Sequence, residues 1–463
     1  MKKLCRFLSL CIVLTMIITL PGCAFRFTSF ENLMRPPKLI GKYQILQDAF
    51  EATLGNQKFS LLTPETGDFR SSFLTYDVDS DGDEEAFVFY ILADKPEIAK
   101  VSYFEYTSEE WKFICTNDGL GNTIDKVVIT DFNRDGLSEV IVGWSLYSNK
   151  TNKVFSEYSI SATDFTQKSS HPYSHFDVVD VNGDGYNDVL TLTVDTSVPD
   201  KRSAIARAYN YDRSASVLSL FGETALDGNI SSYSMIKTES VSDKNYIYIE
   251  SLKGMYESIT ELIYWDDETN KLISPLFDIA SQSTILTWRN INISVYDVDS
   301  DGFLEIPTSV EMPGSVVTTT DNMNSSSTVT SDNNPITKLY FTKWIKYRDG
   351  KIIPVQYSIV NKFAGYMLNV KSTWVGKITV SGNDGQWDYY RWNSKSNTIG
   401  DLLFSIYSYD NKDETAKKKY SSYDILKSTS GKTYVYQITS EGVGFGITKE
   451  LLDKNLVLTD LGG

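Results

Sequence analysis

The sequence predicts a mainly-β protein: a propeller-like array of about five four-stranded antiparallel sheets, followed by a sheet-rich α+β domain. Three observations predict it. An Asp-rich nonapeptide returns four times, beginning at Asp77, Asp131, Asp180 and Asp297. The starts are separated by 54, 49 and 117 residues, the last gap being close to two periods. Each copy lies between short apolar runs of strand length, and aromatic residues make up 13% of the chain, a composition that favours pleated surfaces over helical bundles. Repetition at a period of about 50 residues is the mark of stacked supersecondary units.

In chain order, the first 22 residues form a leader. Lys2, Lys3 and Arg6 precede a 14-residue apolar run from Phe7 to Leu20, too short to span a bilayer as a helix. The run ends in Leu20, Pro21, Gly22 and Cys23, which resembles a bacterial lipobox. That resemblance implies cleavage before Cys23, lipidation of Cys23 and anchoring at the extracellular face of the cell membrane, since two acyl chains hold stably. Pro21 departs from the usual small residue. Loss of the leader takes the net charge from −16 to −19 and leaves only Cys23 and Cys115 of four cysteines. With Cys23 lipidated no internal disulfide can form, so an exported chain needs another staple, such as bound metal. The acidic balance excludes a phosphate backbone, hence nucleic acid, as a partner.

Residues 23–40 read as a tether. Residues 43–54 carry Leu46, Phe50 and Leu54 on one side, a short amphipathic helix packing on the array. The array is expected over 41–362. Strands are predicted before the loops at Phe73–Tyr76, Val127–Ile129, His175–Val179 and Ile291–Tyr296, and after them at Ala86–Leu92, Val140–Val142 and Val189–Val194. Val101–Tyr106 and Trp111–Ile114 complete the first sheet, with Cys115 as a buried hydrophobe.

The loops themselves suit a hard cation. Asp77, Asp79, Asp81 and Glu85 occupy positions 1, 3, 5 and 9 of the first copy. Asp131, Asn133, Asp135 and Glu139 do so in the second, Asp180, Asn182, Asp184 and Asp188 in the third, and Asp297, Asp299, Asp301 and Glu305 in the fourth. Position 6 is always glycine, and position 7 (Asp83, Leu137, Tyr186, Phe303) offers its carbonyl. Calcium takes 6–8 oxygen ligands, and alternating carboxylates and amides on a curled loop supply them. An EF-hand is excluded. It needs Glu at position 12, where Val88, Val142, Thr191 and Thr308 stand, and flanking helices, where strands are predicted.

Over residues 45–360 these loops resemble the FG-GAP/VCBS repeat of integrin-α-like β-propellers and bacterial surface proteins. With the lipobox and the Leu61–Pro64 lead-in, the chain resembles clostridial-type VCBS-repeat lipoproteins. The resemblance implies calcium at the matching positions, on the propeller's underside, and no catalysis. A degenerate copy is expected at 241–249, where Asp243 and Asn245 remain but the carboxylate pattern is lost, so one blade should lack calcium.

Residues 313–335, rich in Ser, Thr and Asn, interrupt the fifth unit between its second and third strands. They read as an insertion unable to order itself, or as a recognition loop. The pattern changes at 363. Strands at Tyr366–Val370, Lys377–Val380, Trp387–Trp392, Leu402–Tyr407 and Thr433–Ile438 and helices at 412–420 and 448–454 make a separate domain over 363–463.

Catalytic signatures are absent: no Gly-x-Ser-x-Gly, phosphate loop or Cys-x-x-Cys occurs. His171 and His175 lack a third zinc ligand. The sequence therefore predicts a non-enzymatic, calcium-binding surface lipoprotein with an extracellular protein or glycan partner. The alternative is a polysaccharide-active or carbohydrate-binding lipoprotein, with Trp387, Tyr389, Tyr390 and Trp392 as sugar platforms.

Overall fold

The structure, a computed structural model, describes residues 41–458 except 147–148, 162, 198–201, 243, 255, 319–327, 330–334 and 384. The leader, Cys23, the tether and Asp243 lie outside the described residues. No helix among the described residues is long and apolar enough to cross a membrane.

Helix α1 (Lys42–Leu54) opens the described chain. The first sheet holds β1 (Phe59–Leu61), β2 (Phe73–Tyr76), β3 (Glu85–Leu92), β4 (Lys95–Thr107) and β5 (Glu110–Asp118), with β1 and β2 sharing one edge of β3. Three four-stranded antiparallel meanders follow. They are β6 (Thr123–Thr130) to β9 (Asp164–Tyr173) through β7 (Glu139–Leu146) and β8 (Asn149–Ser161); β10 (His175–Val179), β11 (Asp188–Asp195), β12 (Ser203–Asp212) and β13 (Val217–Leu226); and β14 (Ser232–Val241), β15 (Lys244–Lys253), β16 (Glu257–Asp266) and β17 (Lys271–Ile273). Next come β18 (Ile306–Glu311), β19 (Val316–Thr318), β20 (Thr328–Val329), β21 (Pro335–Thr337), β22 (Tyr340–Arg348), β23 (Lys351–Asn361) and β24 (Tyr366–Val370). The chain ends with β25 (Ile378–Asn383), β26 (Gln386–Asn393), β27 (Thr398–Asp410), α2 (Glu414–Lys419), β28 (Asp424–Ser428), β29 (Lys432–Ile438), α3 (Ser440–Phe445), α4 (Lys449–Asn455) and β30 (Leu456–Leu458). The fifth sheet runs β18-β22-β23-β24-β30, and an eight-stranded sheet runs β20-β21-β19-β25-β26-β27-β29-β28.

Strand alternation explains the stacking. On β3, Phe87 and Phe89 enter a core shared with Val127, Val140, Val142 and Trp144 of the second sheet. Ala86, Val88 and Tyr90, on the opposite face, receive Leu46 and Phe50 of α1. Further cores join the second sheet to the third, the third to the fourth and the fourth to the fifth. The fifth then packs through Phe341, Ile359 and Leu368 on Trp387, Tyr389 and Phe404 of the eight-stranded sheet. No hydrophobic core among the described residues joins the first sheet to the fifth: α1 and the eight-stranded sheet cover the two ends of an open series.

Two strand expectations are corrected. Ile291–Tyr296 forms no strand; its one backbone pairing with the sheet among the described residues is the bridge between Tyr296 and Glu305, while Ile293 packs on Trp344, Val360 and Met367. The buried Arg289 holds it bent, its Nε donating to the Ile293 carbonyl at 2.7 Å. Tyr366–Val370, expected in the C-terminal domain, pairs with β23, and β30 returns from the C-terminus to pair with β24. The fifth sheet thus borrows strands from beyond 362. Helix α3 was not expected. Trp387 and Tyr389 are core residues rather than sugar platforms, and Trp392 is covered by Gly314, where an added β-carbon would lie 2.2 Å from the ring.

Candidate metal centres

Three of the Asp-rich loops join two antiparallel strands, β2 to β3, β6 to β7 and β10 to β11, the fourth leads from the bridged Tyr296 into β18, and all four fold alike. Position 4 (Ser80, Arg134, Gly183, Ser300) and the position-6 glycine both take left-handed backbone. Gly82, Gly136 and Gly302 have φ of 96°, 91° and 86°, with open space where a β-carbon would point. Glycine is required there by conformation, not by crowding. The turn brings the position-6 N–H onto the position-1 carboxylate: Gly82 to Asp77 at 3.2 Å, and Gly136 to Asp131, Gly185 to Asp180 and Gly302 to Asp297 at 2.9 Å each. The position-5 carboxylate accepts from the position-7 N–H: Asp83 to Asp81, Leu137 to Asp135, Tyr186 to Asp184 and Phe303 to Asp301, at 2.8–3.0 Å.

The position-9 acid closes each loop from below. Glu85, Glu139, Asp188 and Glu305 are 1%, 5%, 0% and 0% exposed. One oxygen of each accepts from the position-2 N–H: Val78 at 2.7 Å, Phe132 at 3.1 Å, Val181 at 2.9 Å and Val298 at 2.8 Å. The second oxygens differ. Those of Glu85 and Asp188 have no hydrogen-bond partner among the described residues, nor has Oδ1 of Asp77. That of Glu139 accepts from Asn133 at 3.1 Å; that of Glu305 also makes no hydrogen bond among the described residues but lies 2.8 Å from the Lys346 ammonium. Burial pushes Glu85, Glu139 and Asp188 up to about 7, with the position-2 N–H opposing and nearby loop aspartates adding to the rise. A buried acid with an orphaned oxygen is what a cation corrects, and an all-oxygen set suits a hard one. Asp77, Asp79 and Glu85 bring oxygens within 4.8 Å of one another, as do Asp297, Asp299 and Glu305.

The loops line one side of the array and touch in sequence. Ser138 N–H donates to the Val78 carbonyl at 2.7 Å. Arg134 donates to the Gly185 carbonyl, and Arg213 to that of Asn133 at 2.6 Å. The two guanidinium groups lie 4.3 and 5.3 Å from the Tyr186 ring. In the fourth unit β14 turns directly into β15, and Asn245 donates to the Asp180 carbonyl at 2.7 Å. Glu239 then accepts from Leu304 N–H at 2.7 Å.

Among the described residues, no cluster of three or more metal-ligating side chains includes a histidine. His171 packs on Phe155 and Tyr209, at ring separations of 5.3 and 4.4 Å. Burial holds both His171 and His175 below the usual range. Cys115 is half-buried against the first core, and burial pushes its thiol up. Sequence reasoning missed Glu105 and Lys346, which stand on strands beside the first and fourth loops. Their signal is in strand register, not in the motif.

No protein-family profile matches the chain, and no curated protein matches it. Among solved structures, similarity is remote. A hypothetical selenium-binding protein from Sulfolobus tokodaii aligns at 8% identity and TM-score 0.30, over 45% of this chain and 54% of its own. A Lactobacillus plantarum protein aligns at 10% and 0.27, over 73% and 85%. A Bacillus licheniformis rhamnogalacturonan lyase aligns at 10% and 0.27, over 74% and 71%. Scores of this size bring no chemistry to this chain.

Proposed function

We propose that the chain is a non-enzymatic binding or scaffold module of the FG-GAP/VCBS type. In this reading it is a propeller-like array stapled by calcium and anchored outside the cell through lipid on Cys23. The observation that supports it most is the fourfold recurrence of one loop geometry closed by a deeply buried acid, with orphaned oxygens at Glu85 and Asp188. Asp77, Asp79, Asp81 and Glu85, with the carbonyl of Asp83, would hold one ion, and the matching residues of the other loops the rest. Bound calcium would supply charge neutralisation and rigidity, which linkage converts to about 2.7 kcal/mol per site at 100 times the dissociation constant. The protein is expected to melt markedly higher in millimolar calcium than in chelator. An unchanged melting curve would defeat the calcium assignment. Cys23→Ser should leave the membrane fraction, and a variant that still partitions there removes the anchor from the reading.

A carbohydrate-binding reading is kept by one feature. A cleft of about 180 Å³ between the second and third loops is lined by Asn133, Asp184, Tyr186, Asn187, Asn210 and Arg213, donors and acceptors suited to hydroxyl groups. A glycan array probed with wild type and Asn210→Ala separates the two readings. Binding that the substitution abolishes favours the sugar.

A further inference from the structure

We propose that the residue facing each loop's position-9 acid from the neighbouring strand sets that loop's calcium affinity, and that Lys346 makes the fourth loop the weak site. The inference rests on the calcium reading above and asks what ranks the four loops.

The register identifies the facing residue. Ala86 pairs with Phe104, Val140 with Tyr158, Val189 with Tyr209 and Ile306 with Ile345. Continuing each pairing by one residue sets Glu105 opposite Glu85, Ser159 opposite Glu139, Asn210 opposite Asp188 and Lys346 opposite Glu305. The same topological place therefore carries a negative, two neutral and one positive side chain.

Lys346 is buried, with 8% of its surface exposed. Its ammonium lies 2.6 Å from Asp301 Oδ2 and 2.8 Å from Glu305 Oε1. These are the position-5 and position-9 acids of the loop. A buried ammonium must stay paired, and both carboxylates that pair it here are the ones calcium would use. The phenyl ring of Phe303, 5.2 Å away, flanks it without offering another carboxylate. Calcium and Lys346 compete for the same oxygens, so the fourth loop carries a tethered rival cation. No other loop among the described residues has a lysine or arginine ion-paired to its position-1, -3, -5 or -9 acid.

Glu105 acts in the opposite direction. Its carboxylate interacts with Glu85, Asp79 and Asp81 and is held by the Tyr103 hydroxyl at 3.0 Å. Lys112, its cross-strand neighbour, offsets part of that charge. An added carboxylate beside a calcium cage raises affinity through charge count. The expected order is first loop tightest, second and third intermediate, fourth weakest.

Calcium titration calorimetry, with ion counts by native mass spectrometry, tests this on the purified protein. Wild type should show three tighter sites and one weaker. Lys346→Met, which keeps length but removes the charge, should tighten the weak site roughly tenfold to a hundredfold. The gain should vanish when Asp301→Ala is added, which assigns it to the fourth loop. Glu105→Lys should weaken one tight site by a similar factor. If four ions bind and a folded Lys346→Met gives the wild-type isotherm, the inference is overturned while the calcium reading stands. Should Lys346→Met not fold, Glu105→Lys decides, and an unchanged tight site overturns the inference. Binding of no calcium by wild type removes both.

Discussion

Glu261 of β16 is fully enclosed, and burial pushes its carboxyl up to about 8; the Asp227 N–H opposes this and the Asp227 carboxylate adds to the rise. Its Oε1 accepts from Asp227 N–H at 2.7 Å and from the Thr284 hydroxyl at 3.2 Å, while Oε2 has no hydrogen-bond partner among the described residues. The unfolded chain releases this proton near 4.5 and the folded chain near 8. Between those values the native state holds the extra proton, so this group's contribution is full below 4.5 and is lost as pH rises toward 8. Glu261→Gln imitates the protonated acid. Urea unfolding across pH 4.5–8 should show wild type losing stability relative to Glu261→Gln as pH rises; parallel profiles would mean that Glu261 ionises normally. The loop acids are pushed up by the same burial, but their spacing was legible in the sequence because positions 1, 3, 5, 6 and 9 are all local. Glu105 and Lys346 were not legible. Lys346 lies 45 residues beyond Asp301, and only the register of β18 on β22 brings it back.

The fifth sheet shows where element-level reading stops. Ile291–Tyr296 alternates like a strand, yet its backbone carbonyls are taken by side chains: Asn292 by Lys362, Ile293 by Arg289 and Val295 by Lys237. The Arg289 guanidinium donates to the carbonyls of Ile293 and Thr287, at 2.7 and 3.2 Å, and to Glu250 on β15. Glu250 in turn accepts from Val295 N–H at 2.7 Å. Apolar periodicity does not register an arginine that replaces a ladder. Tyr366–Val370 was legible as a strand, but nothing local says whether its partner precedes or follows it. Arg289 and Glu250 are 1% and 2% exposed, so losing one strands the other charge in the core. Arg289→Ala should cost about 3–5 kcal/mol in chemical denaturation. Arg289→Met with Glu250→Leu should cost much less than Arg289→Ala, because no charge is left unpaired. Equal losses in the two variants would show that the segment is held by packing instead.

On the scale of the whole molecule, the sheets form a series in which, among the described residues, each sheet-to-sheet core joins neighbours, and both ends are covered. The repeat period foretold the units and their meander order. It carried no information on ring closure, which depends on the angle between successive sheets rather than on any local motif. In a series, neighbours should couple and distant units should not. The second and third loops are stitched by Arg134 to the Gly185 carbonyl, by Arg213 to that of Asn133, and by Asn187 to the Thr130 hydroxyl at 3.0 Å. The first and fourth loops have four sheet-to-sheet cores between them. Asp135→Ala and Asp184→Ala each remove a position-5 carboxylate from adjoining loops, whereas Asp81→Ala and Asp301→Ala do so at loops that do not touch. Combined, the first pair should deviate from additivity by about 0.5–3 kcal/mol, because each loop orders the other's contacts. The second pair should add within roughly 0.3–0.5 kcal/mol. Denaturation of the four single and two double variants in saturating calcium measures both numbers. Strong coupling between Asp81 and Asp301 would mean that the first and fifth sheets meet in solution and that the series closes on itself.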